Sequence, residues 1–275
     1  MKLFLKTKDH SVSKEEFSLL YNKELDMLVT TPEPDNLEKY YESDAYISHT
    51  DAETTLVDRV YQSVKKYSLN KKVKLIVGLT NSQKTLLDVG AGTGDFLNTA
   101  KSKGWQIDGV EPSSIARKKA AAKGLNLNEN LKSLTNKKYN IITLWHVLEH
   151  LPNLEEQLIA LKSLLTEDGH IIVAVPNYRS LDARHYKEYW AAYDVPRHLW
   201  HFSQTAIQRI FAQHKMSIIK TKPMLFDSFY VSLLSEKYKT GKQNYLRSFW
   251  IGLRSNLAAM LSKEHSSIIY IIKND

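Results

Sequence analysis

The chain has 275 residues, of which 43% are hydrophobic and 25% are charged, and these ordinary globular proportions exclude disorder as its main state. It contains no cysteine, which excludes disulfides, thiolate zinc sites and a cysteine nucleophile, and which favours a reducing, cytoplasmic location. The formal net charge is +8, with most of the excess in residues 215–275, but such a balance is more typical of solubility than of a binding surface, so no nucleic acid is expected as a partner.

The N-terminal fifty residues show the least regular pattern. Alternating apolar positions over residues 17–29 predict a small hairpin, so we interpret residues 1–50 as a hairpin cap in front of the main domain, residues 51–275. Charged side chains interrupt the first ten positions, which argues against a signal peptide. No apolar run approaches the ~20 residues of a membrane-spanning helix. A helix is predicted next, over residues 52–67.

Further along the chain, short apolar runs alternate with amphipathic stretches, which is the pattern of strand, helix, strand in a parallel sheet. The four clearest strands are Thr85–Val89, Gln106–Val110, residues 139–144 and residues 170–175. The helices predicted between them cover residues 95–103, 114–123 and 154–165. Because parallel crossovers are right-handed, this order predicts an α/β fold with an open, doubly wound sheet that binds its ligand at the carboxyl ends of the strands.

A helical insert is predicted before the last strand. Ser203 caps a helix that runs to Lys215, and two further β-type runs cover residues 217–222 and 267–273. The segment between these runs, about residues 227–263, is interpreted as two helices, residues 229–239 and 245–262.

The second insert helix carries large apolar residues on one side, with basic residues around them. We favour packing of this face onto the sheet as a lid, or a contact in a dimer. Peripheral contact with an anionic membrane is the less favoured alternative.

A glycine-rich turn, residues 88–94, carries the strongest chemical signal. Gly90 and Gly92 permit backbone angles and a ligand approach that a Cβ would block, and Gly94 lets the next helix start close to the strand. Amides exposed at such a turn suit an anionic or carboxylate-bearing ligand. Glu111 ends the next strand, where a carboxylate can accept hydrogen bonds from both hydroxyls of a ribose. The G-x-G-x-G spacing disfavours a nicotinamide oxidoreductase, whose turn is G-x-G-x-x-G.

With these motifs the sequence resembles the class I S-adenosylmethionine-dependent methyltransferases from about residue 40 to its end. Residues 139–151 and 175–178 look like the fourth and fifth strand regions of the bacterial branch that contains the ubiquinone-type O-methyltransferases. The resemblance implies a mostly parallel, seven-stranded Rossmann-like sheet and S-adenosylmethionine as cofactor. The implied cofactor contacts are Asp88, Gly90, Ala91, Gly92 and Gly94 at the methionine end, Glu111 and Pro112 at the ribose, Asn130 and Leu131 at the adenine, and Trp145 beside the methyl group.

The start of the chain is similar to family members in which a cysteine-bound zinc unit precedes the pattern Tyr-Tyr-x-Ser-x-x-Tyr, matched here by residues 40–46. Since the chain has no cysteine, a metal-free hairpin cap is the expected remnant. Tyr46 is then either a contact to the methionine end of the cofactor or a packing residue of the cap.

Methyl transfer is an in-line displacement, so the protein must mainly align the acceptor and manage its proton. His146 follows the fourth strand of the sheet and His198 lies in an aromatic- and histidine-rich segment, residues 190–202, predicted to line the acceptor pocket. These two histidines are the candidates for proton removal or acceptor orientation. Glu149 and His150 are alternatively ligands of an oxygen-preferring metal, but no third carboxylate at suitable spacing is visible, so no metal is expected.

The acceptor class follows from two absences in the sequence. Leu144-Trp145-His146 stands where base-amine methyltransferases have an Asn-Pro-Pro-aromatic turn, which argues against methylation of DNA or of a glutamine amide. The lack of cysteine excludes methylation of pyrimidine C5 through a covalent adduct. A hydroxyl or amine of a small-molecule or lipid-linked acceptor remains. The alternative is a non-catalytic protein that keeps the fold and binds the cofactor.

Overall fold

The computed structural model describes residues 1–41, 56–80, 83–135 and 137–275. They form an α/β fold with a six-stranded main sheet and a smaller four-stranded antiparallel sheet. The strands are β1 (Lys2–Lys8), β2 (Glu16–Asn22), β3 (Met27–Thr31), β4 (Thr85–Val89), β5 (Gln106–Val110), β6 (Tyr139–Trp145), β7 (Leu165–Pro176), β8 (Trp200–His201), β9 (Met216–Pro223) and β10 (Ser267–Asn274). The helices are α1 (Leu56–Val77), α2 (Asp95–Lys101), α3 (Ser114–Ala121), α4 (Leu154–Leu164), α5 (Leu181–Tyr186), α6 (Gln204–Gln213), α7 (Asp227–Thr240) and α8 (Tyr245–Ser262).

The large sheet has the strand order β5-β4-β6-β7-β10-β9. The first four strands pair in parallel, whereas β10 is antiparallel to both of its neighbours. Buried apolar side chains cover both faces of the sheet in two clusters, as the polar-free strands require. The predicted α/β class and mostly parallel sheet are confirmed. The chain leaves β4 toward β5 on one side and later adds β6 on the other, which makes the carboxyl end of β4 the switch point where ligands bind.

The prediction of seven strands is wrong by one among the described residues. After α3 the chain returns beside β5, but it forms only an isolated parallel bridge between Val110 and Asn128. The amide of Asn128 donates to the carbonyl of Gly109 at 2.8 Å, and the amide of Glu111 donates to the carbonyl of Asn128 at 2.9 Å. Residues 125–130, Leu-Asn-Leu-Asn-Glu-Asn, contain few apolar residues and several asparagines, which favour turns. The pairing with β5 therefore does not extend into a strand.

Helix α1 continues ten residues beyond the predicted end of its helix at residue 67. Its C-terminal half is polar, but Leu69, Val73 and Ile76 keep a helical spacing, and the last two are buried against the sheet. Residues 52–55 of the predicted helix lie outside the described residues.

The predicted hairpin over residues 17–29 is confirmed as β2 paired with β3. Two strands of this sheet were not predicted from the sequence: β1, whose residues are mostly exposed, and β8, which adds a fourth strand from the segment 190–202. The N-terminal sheet is therefore joined by backbone hydrogen bonds to a segment that follows β7 of the main sheet. The division into a cap, residues 1–50, and a domain, residues 51–275, stays a prediction.

The two insert helices are found close to their predicted bounds. Of the two favoured alternatives for α8, packing onto the sheet as a lid is wrong, whereas a contact in a dimer stays a prediction. The large apolar residues of α8 face outward, with Leu246 71% and Leu261 90% exposed. Small residues form the buried side instead: Ser248, Gly252, Ser255 and Ala259, together with Ile251. No helix in the described ranges is both long and apolar enough to cross a membrane.

Candidate cofactor and acceptor site

The glycine-rich turn after β4 contacts the loop after β6. Gly90 has a φ of 69°, and a Cβ on it would lie 2.3 Å from Cγ2 of Val147. Gly92 also has a positive φ, 54°, but a Cβ there would meet no atom of the described residues within 4 Å. Gly90 therefore allows close packing between the two loops, while Gly92 borders open space at the switch point. This is the cradle that a bound ligand would fill.

The expectation that the turn offers free amides is wrong for four of them. The amides of Gly90 and Ala91 both donate to the carbonyl of Val110, at 2.8 and 2.9 Å, and the amide of Gly94 donates to Ala91 at 2.9 Å. The amide of Gly92 donates to Oε2 of Glu111 at 2.8 Å. These bonds arise because the turn closes onto the end of β5, so backbone donors alone do not make an anion site here.

Glu111 is held at the turn by two backbone amides. Its Oε1 accepts from the amide of Ser113 at 2.9 Å, and its Oε2 accepts from Gly92. Each oxygen keeps a second lone pair. The carboxylate thus stands beside the open space at Gly92, in the position that the ribose prediction requires.

Asp88 lies buried behind the turn. Its Oδ1 accepts a 2.6 Å hydrogen bond from the hydroxyl of Thr143 on β6. Burial raises the pKa of Asp88 to about 7, although the Thr143 bond and the charge of Lys72 oppose the shift. Its charge therefore changes near neutral pH, and a cation bound nearby would favour the ionised form.

Trp145, the last residue of β6, lies beneath Lys72, a residue that was not predicted from the sequence to belong to the site. The ammonium of Lys72 on α1 is 4.3 Å from the centroid of the Trp145 ring. Burial lowers the pKa of Lys72, opposed by the charges of Asp88 and Asp227. The indole Nε1 of Trp145 is buried and has no hydrogen-bond partner in the described part of the chain.

Helical spacing would have revealed Lys72. It follows Leu69 by three residues and precedes Ile76 by four, so it interrupts the apolar side of α1. A lysine on the apolar side of a helix is unusual, and here its ammonium is positioned over the ring of Trp145.

The predicted adenine residues lie at the edge of the sheet near the bridge between Val110 and Asn128. Asn130 caps a short 3-10 helix, Leu131–Leu134, where its Oδ1 accepts from the amide of Lys132 at 3.1 Å. Pro112 is exposed and adjoins Glu111. Tyr46 lies outside the described residues.

His146 is held between two carboxylates. Its backbone has a φ of 58°, which turns the chain at the end of β6. Its Nε2 is 2.9 Å from Oδ2 of Asp227, and its Nδ1 is 3.3 Å from Oε1 of Glu149. Burial disfavours the charged ring, but the hydrogen bonds and charges of Asp227 and Glu149 outweigh it and raise the pKa of His146 to about 10. The ring is therefore an imidazolium at neutral pH, suited to orienting an acceptor rather than to removing a proton.

His198 has the opposite electrostatic character. Its Nδ1 is 2.9 Å from the carbonyl of Ala192, and because a carbonyl only accepts, Nδ1 carries the proton and Nε2 keeps its lone pair. Burial, followed by repulsion from His150, lowers the pKa of His198 well below its ordinary value. A neutral ring with a free lone pair is the state that a general base needs.

Glu149 is bonded to His146 and also lies beside His150 and His198. Side-chain ligand atoms of Glu149, His150 and His198 all lie within 4.8 Å of one another. Among the residues that the structure describes, no group forms a hydrogen bond with the buried Oε2 of Glu149. His198 thus supplies the third donor that was not visible beside Glu149 and His150. Two imidazoles and a carboxylate suit a transition metal better than magnesium. The expectation of no metal stays a prediction, and this is the cluster at which it is tested.

Most of the segment 190–202 is architectural, contrary to its expected role in lining the acceptor pocket. The guanidinium of Arg197 is fully buried and pairs with Asp9, at 2.9 Å, and with Asp194, at 2.6 Å. His201 is bonded to the hydroxyl of Thr30 at 2.9 Å. These contacts hold the N-terminal sheet against the segment, because buried polar groups must find partners.

Comparison with known proteins agrees with this geometry. Residues 61–220, more than half of the chain, match the family model described as methyltransferase domain. The chain belongs to this family, and its predicted recognition as a class I S-adenosylmethionine-dependent methyltransferase, an enzyme, is confirmed.

The curated relatives match over a short region. The ubiquinone biosynthesis O-methyltransferases of Yersinia enterocolitica and Serratia proteamaculans are 31% and 30% identical over 104 residues, which cover 34% of this chain. The chain spans 43% of the length of each.

Solved structures share the fold. The magnesium protoporphyrin IX methyltransferase of Synechocystis, with bound S-adenosylhomocysteine, has a TM-score of 0.57 at 15% identity and covers 86% of this chain and 97% of its own. A methyltransferase of Archaeoglobus fulgidus has a TM-score of 0.50 at 20% identity, with 76% and 94% covered.

Proposed function

We propose that this chain transfers the methyl group of S-adenosylmethionine to a hydroxyl or amine of a small-molecule or lipid-linked acceptor. One observation carries the proposal: Gly92 faces open space while its amide holds the carboxylate of Glu111 at the same point. A nucleoside in that space would meet a hydrogen-bond acceptor for its ribose where the strand order reverses. S-adenosylmethionine, when bound, supplies an electrophilic methyl group on a positively charged sulfur.

The proposed cofactor site extends from Glu111 to Trp145. Asp88, Gly90, Ala91, Gly92 and Gly94 are assigned to the methionine end by the family resemblance, and Pro112, Asn130 and Leu131 to the nucleoside. The open side of Gly92, the orphaned Nε1 of Trp145 and the ionisable Asp88 support this fit.

Lys72 is proposed to bind the carboxylate of the cofactor's methionine. Its ammonium lies over Trp145, within the electrostatic influence of Asp88. An amino acid end has one cationic and one anionic group, and Asp88 and Lys72 offer one partner for each. Tyr46 remains a candidate for the same end from the sequence alone.

On the acceptor side, the two histidines take different roles. His146, an imidazolium whose two N–H groups are held by Asp227 and Glu149, orients the acceptor through its fixed positive charge. His198 removes the acceptor's proton through Nε2 as the new bond to the methyl carbon forms. Because the departing sulfur becomes neutral, no further acid is needed.

The acceptor class is supported by the relatives, which are named for O-methylation in ubiquinone biosynthesis. Neither comparison favours the non-catalytic alternative. We also propose a cytoplasmic location, on the basis of the cysteine-free composition.

Calorimetric titration with S-adenosylhomocysteine, followed by a turnover assay with a panel of phenols, alcohols and amines, tests the function. Micromolar binding and release of S-adenosylhomocysteine with at least one acceptor are expected, with no change after dialysis against EDTA. Binding without turnover of any acceptor would favour the non-catalytic alternative. Absence of binding would refute the cofactor site.

A further inference from the structure

The helical hairpin α7–α8 presents an unusual surface. A stripe of large apolar side chains runs along α8 and stays at least half exposed over its whole length. Its members are Tyr245, Leu246, Phe249, Trp250, Leu257, Met260 and Leu261. At 100° per residue these positions occupy one continuous side of the helix. No described residue covers this side.

The side of α8 that faces the protein is made of small residues. A Cβ on Gly252 would lie 2.8 Å from the ring of Phe229, so α7 and α8 pack at close range. The hydroxyl of Ser255 donates to the buried carboxylate of Asp182 at 2.5 Å. An ordinary surface helix buries its large apolar residues, and α8 does the opposite. Among the described residues the stripe is left uncovered, and an exposed apolar patch of this kind is typical of a contact surface.

The start of α7 extends the stripe. The carbonyl of Leu225 accepts from Asn256 of α8 at 2.9 Å, which brings Leu225 and Phe226, each 48% exposed, beside the apolar side of α8. Tyr230 follows on the next turn and is 45% exposed. The resulting patch spans both helices.

The charges around the patch have one sign. Six exposed basic residues belong to the hairpin and its ends: Lys237, Lys239, Lys242, Arg247, Arg254 and Lys263. Its two acidic residues turn inward, because Asp227 binds His146 and the fully buried Glu236 pairs with Arg247 at 3.1 Å. The outward surface is thus apolar with a cationic rim.

This charge pattern distinguishes between occupants. Two copies of the chain joined through this face would bring two cationic rims together, which costs free energy. An anionic bilayer accepts both features, since aromatic and aliphatic side chains enter the acyl boundary and lysine and arginine meet the headgroups.

We propose that the α7–α8 hairpin lies on an anionic lipid bilayer. Asp227, the first residue of α7, bonds to His146, so the membrane-bound element is the same one that borders the acceptor side of the site. A lipid-linked acceptor would then reach the site from the bilayer. The membrane contact itself does not depend on the methyltransferase assignment.

Flotation with vesicles tests the proposal on the full chain. The protein is expected to float with phosphatidylglycerol–phosphatidylcholine vesicles and to float poorly with phosphatidylcholine alone. Salt at about 0.5 M is expected to release it, because salt screens the attraction between the basic side chains and the anionic headgroups. The double variant Trp250→Ala, Leu261→Ser is expected to lose about tenfold in the bound-to-free ratio. Ile159→Ser, an equally exposed residue on α4, is the control and should bind as the wild type does.

Two double charge-reversal variants separate the contribution of the cationic rim to membrane binding from that of the apolar patch. Lys242→Glu with Arg254→Glu should reduce flotation, whereas Lys103→Glu with Lys118→Glu, which changes the net charge equally elsewhere on the surface, should not. Wild-type protein that stays unbound with anionic vesicles would overturn the proposal. So would a dimer, detected by sedimentation velocity, that dissociates in Trp250→Ala, Leu261→Ser, because a second copy would then occupy the patch.

Discussion

Two segments rich in histidine and aromatic residues follow neighbouring strands of the main sheet, and the sequence gives them the same expected role. In residues 145–150, His146 is one-third exposed between two carboxylates, and Oε2 of Glu149 has no partner. In residues 190–202, Arg197 is fully buried with both of its carboxylate partners in place. Similar residue types therefore serve chemistry in one segment and architecture in the other. The difference is that the paired His146 stays partly exposed beside an unsatisfied carboxylate oxygen, whereas Arg197 is paired and fully enclosed.

His198 lies in the architectural segment, residues 190–202, but one of its ring nitrogens stays available for chemistry. Only its Nδ1 is committed to the segment, through Ala192, while its ring contacts His150 at a centroid distance of 4.4 Å. The comparison thus predicts that variants of the two segments fail in different ways, and His198 is the residue at which the two behaviours separate.

Removal of the buried cation should have the largest effect, on stability. Arg197→Met leaves Asp9 and Asp194 without their partner, so we expect a loss of about 3–5 kcal/mol in the free energy of unfolding. The matched control is Arg179→Met, whose 45% exposed side chain pairs with Asp26 and whose loss should cost less than about 1 kcal/mol. Urea denaturation measures both. Equal losses would contradict the architectural role of Arg197.

His198→Asn is expected to lower kcat by about 100-fold or more, because the proposed base is removed. His201→Asn, in the same segment but bonded to Thr30, is the control and should keep kcat within about threefold. Since burial keeps the pKa of His198 low, wild-type kcat should not fall near pH 6.5 as the pH is lowered. A fall there, or equal kcat losses in both variants, would remove His198 from this role.

Gly92→Asp is expected to weaken binding of S-adenosylhomocysteine by at least about 100-fold, because the new carboxylate fills the open space in which the ribose is placed and repels the carboxylate of Glu111. Gly92→Asn matches its size and its tolerance of positive φ without the charge, so it should lose much less affinity. Calorimetry gives both values, with circular dichroism as the folding check. Full binding by Gly92→Asp would refute the placement.

Lys72→Met should weaken S-adenosylhomocysteine binding by about tenfold and leave binding of its decarboxylated analogue within about twofold, because only the former carries the proposed partner of the ammonium. A nearby surface lysine on the same helix, Lys71→Met, serves as the control. Equal losses for both ligands would show that Lys72 acts on the crevice as a whole.

The smallest effect concerns pH. Since the pKa of Asp88 is about 7 and the ligand's ammonium favours the ionised carboxylate, affinity for S-adenosylhomocysteine should rise about threefold as the pH increases from 6 to 8. Asp88→Asn should flatten this dependence. A dependence that persists in the variant would assign it to another group.

The sheet was predictable because its signal is local. Strands β4 and β5 match their predicted bounds, and α8 begins and ends at the predicted residues, since apolar runs, caps and glycines mark them within a few positions. The missing seventh strand depended on how far Asn128 and its neighbours pair with β5, which is a tertiary property.

The site was predictable in part for the same reason. Glu111 and Gly92 meet because consecutive parallel strands end at one edge of the sheet. The ion pairs of His146 with Asp227 and of Arg197 with Asp9 join residues 81 and 188 positions apart, so no local pattern carries them. The outward stripe of α8 has the same periodicity as an inward one, and only the packed structure shows its direction.

A crystal structure of the protein with S-adenosylhomocysteine tests the central claim most directly. We predict that the ribose hydroxyls bind the carboxylate of Glu111 beside Gly92, and that the sulfur lies next to Trp145 and His146. A ligand bound elsewhere, or a ribose out of hydrogen-bond reach of Glu111, would contradict the account.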